Sequence, residues 1–151
     1  MIDSGKGFTL IELIAVLLVI GILAAFAVPS LNLAPYREQG FIQQSLATIR
    51  YAQKQAISSG CNVEVDITVA GCSLNWTGDP VGSTCPMTAL SNPVNGNTNF
   101  CEDSNAPAGS TFPASPFTFD KIGTPSAGTV QYILGATTIQ VEAETGYARR
   151  L

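Results

Sequence analysis

The chain has 151 residues, room for one domain with a real core and too few for two of ordinary size. Its formal charge of -4 supplies no basic footprint for nucleic acid over the whole surface. It has no histidine, the commonest general base and metal ligand, so chemistry would rest on Cys, Asp and Glu, and no catalytic residue, metal or cofactor is called for.

Phe8 to Val28 is a run of 21 residues, apolar apart from Thr9 and Glu12. That is close to the roughly 20 needed to cross about 30 Å of hydrocarbon as a helix. Lys6 and the initiating amino group precede the run and favour a cytoplasmic N-terminus with the rest of the chain outside. A secretory signal is the competing reading, with Ala25-Phe26-Ala27 as its cleavage site, but a signal core is shorter and does not carry a carboxylate near its start. Glu12 is costly there, about 2.5 to 3.5 kcal/mol at membrane depth, and calls for a cation. Lys6 lies roughly 9 Å along a helix on a poorly matched face. The partner is therefore interfacial water or another chain.

These residues carry a resemblance. "GKGFTLIELIAVLLVIGILAAFAVPSL" is similar to the leader and first helix of type IV pilins and type II secretion pseudopilins. The resemblance implies a leader at 1–7, cleavage between Gly7 and Phe8 by a prepilin peptidase, and N-methylation of Phe8. It also implies that Glu12 neutralises the terminal amine of a neighbouring subunit as helices stack. Two unpaired charges would then become one buried pair.

Pro29 and Pro35 interrupt the pattern, so 8–35 reads as a transmembrane helix and kink. From Pro35 a second, amphipathic helix begins, with Phe41, Ile42, Leu46, Ile49, Ala52, Ala56 and Ile57 on one face and "SSG" at 58–60 as its stop. "CNVEVDITVAGCSLNW" alternates as a strand, with Val63, Val65, Ile67 and Val69 inward, a turn at Ala70-Gly71, and Leu74 and Trp76 continuing the inner face. Glu64 and Asp66 fall on the solvated side, which argues against an acid/base pair.

Residues 78–116 hold six prolines and two of the four cysteines, a long loop that needs tying down. Cys61, Cys72, Cys85 and Cys101 lack zinc-site spacing and read as two disulfides in an oxidising compartment. A hairpin turning at Ala70-Gly71 separates Cys61 from Cys72, which favours Cys61 with Cys85 and Cys72 with Cys101. A later turn would allow Cys61 with Cys72. The remaining "FTFDKIGTPSAGTVQYILGATTIQVEAETGYARRL" reads as a meander of three strands with turns at Lys121–Gly128 and near Gly135. Val130, Tyr132, Leu134, Ile139, Val141 and Ala143 would form its inner face.

The expected class is α+β, a long N-terminal helix on an antiparallel sheet domain at 36–151. "RYAQKQAISSG", "FDKIGTP" and "TGYARRL" resemble the globular part of minor pilins and pseudopilins, such as those of the mannose-sensitive haemagglutinin pilus. The resemblance implies a minor pilin assembled into a type IV pilus at its tip or initiating complex, or alternatively a secretion pseudopilus subunit or a tip module binding DNA, a surface or a secreted protein. Its implied partners are other pilin subunits, the prepilin peptidase and an inner-membrane assembly platform. The implied location is the bacterial inner membrane, C-terminal domain in the periplasm, and then the filament. Some relatives contact DNA through a terminal Gly-Arg-x-Arg, whereas here Arg149 and Arg150 follow Gly146-Tyr147-Ala148. Those two arginines are solvated, pair with Glu142 and Glu144, or meet phosphates.

Overall fold

The computed structural model describes residues 8–27, 33–78, 85–101 and 106–151, without the side chains of 26 and 27. Two compact units divide at Ala34 and Pro35. The first contains helix α1, Leu10–Ala27, built from helix-compatible Leu, Ile, Val and Ala. It is apolar nearly all round, and Phe8, Leu10, Ile11 and the side chains that follow as far as Ala25 are exposed. Its 18 residues extend ~27 Å at 1.5 Å per residue. Among the described residues no helix is long and apolar enough to cross a membrane. The expected span ran on to Val28, which lies outside the described residues, as do the Pro29 break and the leader with Gly7.

The second unit is organised on helix α2, Ala34–Ser59. Pro35 sits in its first turn, where no backbone donor is missed. Phe41, Ile42, Ser45, Leu46, Thr48, Ile49, Ala52 and Ala56 form its buried stripe. Ile57, expected in that stripe, is 53% exposed because the helix is ending around it. Gly60, at φ 69°, then turns the chain out of the helix and donates its N–H to the Ala56 carbonyl at 3.0 Å.

Strands β1 (Val63–Thr68) and β2 (Gly71–Trp76) form a hairpin whose register pairs Thr68 with Gly71 and Val63 with Trp76. The turn is thus Val69-Ala70, one residue earlier than the alternation suggests. Val69 becomes a turn residue, 61% exposed, instead of an inward one. Strand β3 (Phe117–Phe119) pairs with β1, giving the order β2-β1-β3. A second sheet has the order β4-β5-β6, from Val130–Leu134, Thr137–Val141 and Ala148–Arg150. All pairings are antiparallel.

The expected C-terminal meander is therefore redistributed. Phe117 and Phe119 leave it to pair with Val65 and Val63, and Ala148 takes the inner position assigned to Ala143. Ala143 lies past the end of β5, in the 142–146 turn, and is half-buried. One core gathers the α2 stripe and the inner faces of both sheets, with Tyr132, Phe41, Phe117 and Phe119 its largest fully buried side chains.

The described parts of the long loop lie along sheet edges. Ser73 bridges to Asn99 and Asn75 to Ala89 on the outer side of β2, while Thr111 bridges to Ile133 on the outer side of β4. Cys61 is bonded to Cys85 and Cys72 to Cys101, with Cα atoms 5.7 and 5.1 Å apart. Cys72 and Cys101 are 1% exposed, and the Ser45 hydroxyl lies 3.7 Å from both of their sulfurs.

Candidate assembly site

Thr9-Leu10-Ile11-Glu12 has the spacing of a capping box, a hydroxyl followed three residues later by a carboxylate. The Glu12 N–H donates to the Thr9 hydroxyl at 3.3 Å and to the Thr9 carbonyl at 3.1 Å. Leu13 N–H closes the first full turn on the same carbonyl at 3.2 Å. Thr9 therefore caps α1 and Leu10 is its first helical residue. Phe8 precedes the cap and is 77% exposed. A carboxylate in the first turn also faces the positive end of the helix dipole.

Past that turn Glu12 shares a face with Ala15, Val16, Val19 and Ile20, at the i, i+3, i+4, i+7 and i+8 positions. Together they line a shallow groove of about 270 Å³. No Lys or Arg occurs between Phe8 and Ala34. Among the described residues of its unit Glu12 is thus the single charged side chain, at the head of an apolar stripe. Phe8 lies four residues before it, ~6 Å along a helical rise. An ammonium at the position-8 backbone nitrogen of a second chain, displaced axially by about that distance, would meet Glu12 with the two apolar stripes side by side.

The remaining candidate residues lie in the other unit and do not form one site. Arg149 and Arg150 are consecutive on β6, so their side chains leave opposite faces. Arg149 pairs with Glu142 at 2.9 Å. Arg150 donates to the Thr137 hydroxyl at 3.0 Å and to the Gln39 side chain at 3.4 Å. Among the described residues no cluster of acidic or cysteine side chains is placed to hold a metal.

Periodicity did not single out three polar residues that fix this unit. Arg50 donates through Nε and Nη2 to the Ala148 carbonyl, at 3.2 and 3.0 Å. The Gln53 amide donates to the carbonyls of Gly123 and Thr145, at 3.1 and 2.7 Å. Asn99 accepts from the backbone N–H groups of Cys72 and Cys101, at 3.1 and 3.2 Å. Their one sequence signal is a polar side chain bordering a buried helical face or beside a cysteine.

Comparison with known proteins matches residues 4–28 to the prokaryotic N-terminal methylation motif. Residues 42–149, well over half of the chain, match the family described as type II transport protein GspH. No curated protein and no solved structure matches. A methylation motif over α1 and a family match over the helix-and-two-sheet unit together make the chain a minor pilin or pseudopilin, a member of the GspH type II transport protein family.

Proposed function

We propose that the chain is a low-copy structural subunit of a type II secretion pseudopilus, cleaved between Gly7 and Phe8, N-methylated on Phe8, and joined to its neighbours through Glu12. The observation that carries the joining step is a carboxylate with no cationic partner among the described residues, at the head of an apolar, exposed helix face. Cleavage would create an ammonium on Phe8 close in depth to Glu12. Stacked helices then bury a pair in place of two lone charges, and a slip of one turn leaves both unpaired. The secretion filament is favoured over the pilus by the type II transport family that matches the globular unit. Before assembly α1 would hold the subunit in the inner membrane, N-terminus in the cytoplasm and disulfides on the oxidising side. Its partners there would be the prepilin peptidase and the assembly platform. The role is that of a substrate and building block and not of a catalyst.

The test compares wild type with Glu12→Gln and Thr9→Ala in cells with and without the peptidase. Intact mass should give a mature start at methylated Phe8 for wild type, and sheared filaments should contain it. Glu12→Gln should be cleaved yet reduced at least about tenfold in filaments, the equivalent of about 1.4 kcal/mol per junction. Thr9→Ala, which loses the cap and keeps the charge, should still enter filaments. An uncut chain, or equal incorporation of Glu12→Gln, would overturn the reading.

A further inference from the structure

We propose that Asn95 is a deamidation site of this protein, and that its conversion places a carboxylate in a groove whose described lining carries no charge. Of the asparagines in the chain, Asn95 alone precedes glycine. Asn92 precedes proline, which has no N–H to attack with. Asn32, Asn62, Asn75, Asn97, Asn99 and Asn105 precede side chains that crowd the attacking nitrogen.

Local geometry favours attack at the side-chain amide and holds back the attacking nitrogen. Asn95 is exposed and sits in a turn, and Gly96, at φ 75°, has open space where a Cβ would be. The Asn97 N–H donates to Asn95 Oδ1 at 2.9 Å, on the oxygen that gains negative charge as a nucleophile adds to Cγ. The Gly96 N–H donates to the Asn92 carbonyl at 2.8 Å, so the nitrogen must first leave that bond. The turn thus presents an activated electrophile and restrains the nucleophile.

In the step itself the Gly96 nitrogen loses its proton and bonds to Asn95 Cγ. The Cγ–Nδ2 bond breaks, and ammonia leaves carrying that proton, so the product is a succinimide. Water then opens the ring at the side-chain carbonyl to give aspartate, or at the main-chain carbonyl to give isoaspartate. No redox partner is needed.

The position gives the change a consequence. Asn95 lines a groove of about 330 Å³ between α2 and the loop, with Gln44, Tyr51, Asn92 and Phe100 among its walls and, among the described residues, no charged side chain in its lining. Tyr51 and Phe100 lie in it as a tilted ring pair with centroids 5.6 Å apart. Deamidation adds a formal charge to that described lining and makes the net charge more negative by one. This inference does not depend on the chain joining a filament.

The experiment warms the purified full chain, disulfides intact, at mildly alkaline pH in water enriched in oxygen-18, and maps peptides by mass spectrometry. The expected result is an amide-to-acid mass gain with one labelled oxygen, arising first at Asn95 and accompanied by isoaspartate. Gly96→Ala should slow it about tenfold, equivalent to about 1.4 kcal/mol of barrier. Asn95→Gln, which leaves Gly96 in place, should abolish the gain at that peptide. An unchanged chain, a first gain at another asparagine, or a rate indifferent to Gly96→Ala would each overturn the proposal.

Discussion

Asp120 shows how one carboxylate can fix a turn. Its Oδ1 accepts the backbone N–H groups of Ile122 and Thr124, at 3.1 and 2.8 Å, and its Oδ2 accepts the Thr124 hydroxyl at 2.7 Å. Burial alone would raise its pKa, but these bonds, the Thr124 hydroxyl first, hold it below the ordinary carboxylate value. A depressed folded pKa stabilises the fold in full above the unfolded value, about pH 3.9, and the contribution is lost as pH falls through the folded value. Urea midpoints should therefore fall on acidification below about pH 4 more steeply in wild type than in Asp120→Asn. Equal acid limbs would remove Asp120 as a cause. The methylation motif over residues 4–28 was legible because a charge in an apolar run, Glu12, is conspicuous. Asp120 was not, since an Asp near Gly and Pro reads only as a turn residue and its four-residue reach is set by the backbone that it holds.

At the level of elements, α2 is sewn to two turns by a single amide. Gln53 donates to Gly123 and Thr145, and the same region packs Gly146 so closely that a Cβ there would collide with the Gly123 carbonyl oxygen. Gln53→Ala leaves two carbonyls without that donor and should cost about 1 to 3 kcal/mol, read as a lower urea midpoint with an unchanged slope. The helices and the β1–β2 hairpin were legible because their periods, 3.6 and 2, are written in Phe41 through Ala56 and Val63 through Ile67. What escaped was pairing between distant segments. Nothing local tells Phe117-Thr118-Phe119 to join β1, and three residues, Ala148–Arg150, are too few to show alternation. Extending a true alternation past the end of its strand puts Val69 and Ala143 inward. The hairpin turns before Val69 faces the core, and β5 ends before Ala143.

On the scale of the whole molecule, the cystines fasten the long loop to the hairpin, one at each end of it. Cys72–Cys101 closes a loop of 29 residues, so the double change Cys72→Ser, Cys101→Ser should cost about 3 to 4 kcal/mol by the chain-entropy estimate. Denaturant titration of oxidised wild type against the variant measures it, and a loss under about 1 kcal/mol would mean that the reduced loop holds its place unaided. More than stability depends on that place. The fastened loop occupies the outer side of β2 through Ser73–Asn99 and Asn75–Ala89, and its later part occupies β4 through Thr111–Ile133. An uncovered strand border is a template for any passing strand. A subunit that polymerises through α1, as proposed above, has to be kept from polymerising through a strand edge. Oxidation before export from the membrane would then act as quality control, and reduced subunits should form disordered clumps sensed by a β-specific dye while intact ones remain available for ordered growth.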